Sequence, residues 1–236
     1  MPKAPAARSQ PLFVIIARER PVAVLLRRGP SDWFHVIRWD MARDRFERGA
    51  WLRGRIYEDR CDLSPDGELF LAFVLQGRKG ASSSTTHAWS AVSRPPWLHA
   101  LALWPQGTTY GGGGRFTGPR TVVLRNASPR AAAEHPDDGL EVLSGSPPAH
   151  ASTGEVDGAE WSGRDHHGQL VFTRGYLLFR RVGGKDVALA DFGGLRPEPL
   201  PAPDAARVPL TTRNAHAGKR VRRRSEQAVR TARKTR

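Results

Sequence analysis

The sequence has one cysteine, Cys61, and little lysine, methionine or tyrosine. A single thiol excludes an internal disulfide framework and a cysteine-based zinc module. Cys61 stands beside Asp59 and Asp62, without the electropositive surroundings that activate a thiol, and reads as a small buried residue. No apolar run approaches the roughly 18 residues of a membrane-spanning helix. The run 12–17 is broken by Arg18, Glu19 and Arg20. No apolar core of signal-peptide length follows the first residues, so the expectation is a cytoplasmic protein with no membrane association. Catalytic signatures are also missing. Gly184-Lys185 is followed by Asp186, which is no phosphate loop, and H-E-x-x-H, G-x-S-x-G and C-x-x-C do not occur. No cofactor or metal is expected on these grounds.

Acidic residues are outnumbered, 23 against 37 Lys+Arg, for a net charge of +14. Position decides what this means. Residues 213–236 hold ten Lys/Arg and one acid, Glu226, a net of +9 that leaves +5 for the rest of the chain. Charge repulsion and the lack of apolar residues predict that this tail is disordered alone. Its Lys219, Arg220, Arg222, Arg223, Arg224, Arg230, Arg233, Lys234 and Arg236 would contact a phosphate backbone or an acidic partner without reading sequence. The other bases are largely Arg, which an Arg-, Ala-, Gly- and Pro-rich genome also produces.

The body reads as short strands punctuated by turn residues. Residues 12–17 and 22–26 form a hairpin signal, with Pro21 at the start of the second strand. Residues 33–39 carry large groups on both faces, so this strand is expected to be covered on both sides. A short return at 45–47 and a separate strand at 51–57 follow. Ser64-Pro65-Asp66-Gly67 is a tight turn before the buried strand 69–75. Residues 76–86 read as a loop, 88–92, 98–104 and 121–124 as strands, and Gly111–Gly114 as a flexible turn beside Phe116. Residues 126–160 read as a long loop or insertion, in which only Leu140–Leu143 looks strand-like. Hairpins return over 168–192. The predicted organisation is a flexible terminus at 1–10, an all-β domain at 11–196, a Pro-rich linker at 197–212 and the basic tail at 213–236.

Several of these segments carry a resemblance. Ser64-Pro65-Asp66-Gly67 before an apolar strand, and Val36-Ile37-Arg38-Trp39-Asp40 as a two-sided strand ending in Trp-Asp, resemble blade segments of WD40-like and TolB-like β-propellers. His166-His167-Gly168-Gln169-Leu170-Val171-Phe172, then Tyr176-Leu177-Leu178-Phe179-Arg180, resembles a second such blade, and the likeness covers about 80 residues. It implies a small or degenerate propeller of short antiparallel strands. A β-sandwich or curved meander using the same turns is the alternative.

Three functional readings follow. The first is a non-catalytic binding or scaffold module that recognises a protein or small ligand. Its candidate surface is Trp51, Arg53, Arg55, Arg94 and Trp97, because Arg and aromatic faces together hold peptides, sugars or bases. The second is a nucleic-acid-associated protein that uses the tail. The third is a hydrolase at Asp165-His166-His167, where two imidazoles and a carboxylate could move protons near neutral pH.

Overall fold

The computed structural model describes residues 10–76, 87–126, 130–148, 150 and 152–211. Sixteen short strands fall into four sheets. The first sheet joins β1 (Leu12–Ile16), β2 (Val22–Arg28), β3 (Trp33–Asp40) and β4 (Arg45–Arg53) as an antiparallel meander. The second contains β5 (Arg55–Ile56), β6 (Asp62–Leu63), β7 (Phe70–Leu75), β8 (Ala88–Ser93) and β9 (Ala102–Pro105), with β5 and β6 both paired to β7. The third is β10 (Gly114–Phe116), β11 (Thr121–Arg125) and β12 (Glu141–Gly145), in which β11 and β12 run parallel. The fourth is the meander β13 (Trp161–Arg164), β14 (Leu170–Arg174), β15 (Leu177–Val182) and β16 (Lys185–Asp191). Among the described residues, helix is confined to a 3-10 turn at Glu58–Arg60, to α1 (Asp204–Arg207) and to residues 210–211. No helix among them is long and apolar enough to cross a membrane.

The all-β expectation is met, and its local reasons are visible. Phe34, Val36, Ile37 and Trp39 are all buried, so β3 is covered on both faces. Sheets one, two and four share the larger core, and sheets two and three share the smaller one. Side-chain alternation on β7 divides the two. Phe70, Ala72 and Val74 face the first core, while Leu71 faces the second. The outermost strand β16 is largely exposed and carries Lys185, Asp186 and Asp191, charges that blunt an open sheet edge.

The two turns singled out in the sequence share one hydrogen-bond plan. Gly67 N–H donates to the Ser64 carbonyl, and Gly168 N–H to the Asp165 carbonyl, at 2.8 and 2.9 Å. The Ser64 hydroxyl accepts from Leu69 N–H, as the Asp165 carboxylate accepts from Gln169 N–H. Both glycines have positive φ, +72° and +75°.

Three local expectations change. Residues 45–53 form one strand, and the break comes at Gly54, whose φ is +150°. The strand expected at 98–104 starts at Ala102, because 94–101 form a turn and an extended stretch laid against β4. Gly111–Gly114 is a buried, tightly packed run. A Cβ on Gly112 would lie 2.1 Å from the Phe73 ring, so the backbone itself is packed against that side chain.

The proline-rich stretch read as a linker lies along the body as far as it is described. Ala206 and Leu210 are buried, and the Arg94 guanidinium donates to the Val208 carbonyl. The readings at 1–9, at 77–86 and over the tail, including Lys219, Arg220, Arg222, Arg223, Arg224, Arg230, Arg233, Lys234 and Arg236, lie outside the described residues.

Candidate functional site

Register builds the candidate site. Arg27 on β2 pairs with His35 on β3, and His35 pairs with Trp51 on β4, a row across one face of the first sheet. The register then shifts, so that Ile37 pairs with Arg48. In regular pairing Arg48 and Trp51, three residues apart, would point to opposite faces. The extra residue of the bulge returns Arg48 to the face of His35 and Trp51. Gly49 sits inside this bulge, where a Cβ would lie 2.2 Å from the Pro96 carbonyl oxygen, and Ala50 N–H donates to that oxygen at 3.0 Å.

His35, Arg48, Gly49 and Trp51 line one side of an open cleft of about 480 Å³, and residues from Gly194 to Leu200 line the other. The volume falls within the usual range for small-molecule sites. His35 is 1% exposed, stacks on the Trp51 ring at 4.2 Å and 8°, and has no hydrogen-bond partner on either ring nitrogen. A buried imidazole without partners is costly, since each polar group gives up water and gains nothing in exchange. Burial drives the His35 pKa down from 6.5 to about 4, with help from the Arg27 and Arg48 charges. The Gly49 backbone pulls weakly the other way, without reaching hydrogen-bond geometry with either nitrogen. His35 is therefore neutral at physiological pH, with one N–H donor and one nitrogen acceptor to offer.

Arg27 is the register partner of His35 on the neighbouring strand. Its guanidinium lies 4.6 Å from the Tyr176 ring centroid and 5.6 Å from that of Trp51. It donates to the Phe192 carbonyl at 2.9 Å and to those of Gly193 and Gly29. Burial lowers its pKa, and the neighbouring Arg196 charge lowers it further. The Phe192 and Gly193 carbonyls lie just after β16, so Arg27 fixes the start of the segment that walls the cavity.

The five residues proposed from sequence divide. Trp51 lines this cavity. Arg94 and Trp97 line a second cavity, of about 250 Å³, with Arg38, Glu47, Pro203 and Ala206. Arg53 is an exposed partner of Asp32 at 2.9 Å, and Arg55 pairs with Glu58 at 3.6 Å; neither borders these two cavities. His35 is a residue of this site that the sequence reading did not propose. Its signal was a lone histidine on an apolar strand face, two positions from Trp33 and from Ile37.

Asp165, His166 and His167 are adjacent, but their chemistry is divided. The Asp165 carboxylate is buried, accepts from two turn N–H groups, and meets the Arg180 guanidinium at 2.9 Å. Both histidines are exposed, with ring centroids 3.9 Å apart. No group of three or more His, Cys, Asp or Glu is placed to hold a metal ion among the described residues.

Asp62 is a second buried carboxylate, and its partners surround it. It accepts from Phe116 N–H at 2.7 Å, lies 3.4 Å from Arg18, and meets His150 Nε2 at 2.7 Å. This cluster ties β6, β10 and the segment before β13 together. The Cys61 thiol is fully buried, and burial pushes its pKa up. Comparison of the chain with family models, curated proteins and solved structures finds no match.

Proposed function

We propose that the chain is a non-catalytic binding module of small propeller-like build, which takes a small ligand in the cavity walled by His35, Trp51 and Gly194–Leu200. One observation carries the ligand reading: His35 is buried at the cavity wall with two unpartnered ring nitrogens. A ligand atom supplies the hydrogen bond that the fold leaves unmade, and Trp51 offers it an aromatic surface. The propeller reading is supported by four successive sheets of neighbouring strands, by the two-sided β3, and by the matching turns at Gly67 and Gly168.

The test reads the site directly. The full chain is titrated with a panel of small polar aromatic compounds while heteronuclear NMR follows the Trp51 indole and His35 ring signals. Saturable shifts at both groups are expected, and the His35 shift is expected to be lost in Trp51→Ala. A panel that moves neither signal removes the cavity as a binding site.

A second reading rests on charge. The net of +9 within 213–236 suits sequence-independent contact with nucleic acid or another polyanion.

A further inference from the structure

We propose that the His35 cavity selects an organic carboxylate, with its oxygens held by Arg48 and Arg196 and its apolar body against Leu195, Pro197 and Leu200. This rests on the cavity being a ligand site, and it names the ligand class.

The charge count in the cavity points to an anion. Arg48 and Arg196 line it, and Arg27 lies 5.6 Å from the ring of its lining residue Trp51, against one acid in the lining, Glu198. Among the described residues none of these three arginines forms an ion pair. Arg27 spends its donors on backbone carbonyls, which neutralise no charge. Arg48 and Arg196 have no hydrogen-bonded partner among the described residues. Like charges also act on one another: the Arg196 charge depresses the proton affinity of Arg27. A bound anion relieves this repulsion.

The lining narrows the anion to a carboxylate with an apolar body. Leu195, Pro197 and Leu200 stand beside the cations, and Leu200 is half exposed. A bare inorganic anion would leave that wall in water, whereas an apolar group covers it. Neutral His35 donates one N–H to a carboxylate oxygen. Guanidinium forks match the two oxygens of a carboxylate geometrically.

The test titrates the full chain in parallel with benzoate, with benzamide and with inorganic phosphate, following the Trp51 indole and His35 ring signals. Benzoate is expected to saturate both signals. Benzamide, of the same shape without the charge, is expected to bind at least tenfold more weakly, and phosphate more weakly than benzoate. Arg48→Gln and Arg196→Gln are each expected to lose about tenfold in benzoate affinity while keeping the parent unfolding midpoint. Benzamide or phosphate binding as tightly as benzoate, or unchanged affinity in both variants, overturns the carboxylate assignment and leaves the cavity standing. No shift with any probe overturns the binding site as well.

Discussion

His35 is where one residue does most to set the properties of this protein. The unfolded chain protonates this imidazole below about 6.5, and the folded chain only below about 4. Between those values the unfolded state binds more protons, so folding stability falls as pH drops through the window and is fully present above it. The loss amounts to about 3 kcal/mol at most. His35→Phe keeps a ring against Trp51 and cannot take up the proton. Urea midpoints measured near neutral pH and below pH ~5 are expected to fall less in His35→Phe than in the parent. Equal falls in the two proteins would show that His35 is not the titrating group. The comparison with the variant is needed because the carboxylates of Asp32, Asp40, Glu155 and Asp186, held low by arginine partners, lose their pairing at more acid pH. Asp32, Glu155 and Asp186 are exposed and Asp40 is half-buried at the surface, so each contributes little.

At the scale of elements, glycine decides where strands bend and where backbones meet. Much of this was legible. The Ser64-Pro65-Asp66-Gly67 turn, the hairpin at Pro21 and the covered strand β3 all follow from local chemistry, and all appear where residue type puts them. The run Gly111–Gly114 was not legible, because a glycine run reads identically whether it is slack or crushed against a neighbour. Its neighbour, Phe73, is 38 or more residues away in sequence, fully buried, and stacked on Tyr57 at 5.0 Å. Gly112→Ala drives a methyl into that ring at a φ of +91°. The expected cost is about 3 kcal/mol or more, combining overpacking with left-handed backbone strain. Gly154→Ala, with φ +68° and open space around it, is expected to cost only about 1 kcal/mol. Thermal unfolding of the two variants separates the packing contribution from the backbone contribution. Equal midpoints would mean that Phe73 yields.

For the whole molecule, most of the excess charge lies outside the described part of the chain. The described residues end with Leu210 buried in the smaller core, so a truncation that spares the body must come after Thr211. The full chain and the chain ending at Thr211 are expected to differ in DNA or RNA binding. The full chain should bind at about 50 mM salt and lose most of that affinity by about 200 mM, as counterion release requires. The shortened chain should bind little at either. Equal binding by both would assign the polyanion contact to the body instead.

The sequence by itself determined the strand content, because period-two alternation and turn residues act over a few positions. It also placed the excess charge, because charge is a property of composition. It offered Trp51 as a candidate recognition residue, on the strength of aromatic and arginine neighbours. Only the tertiary structure decided that Trp51 keeps company with His35, Arg48 and the Gly194–Leu200 wall, rather than with Arg53, Arg55, Arg94 and Trp97. That decision rests on the one-residue bulge opposite His35 and on a closing segment more than 140 positions further along the chain. A bulge alters which face a residue meets without altering its local pattern, and a contact across that separation leaves no periodic trace.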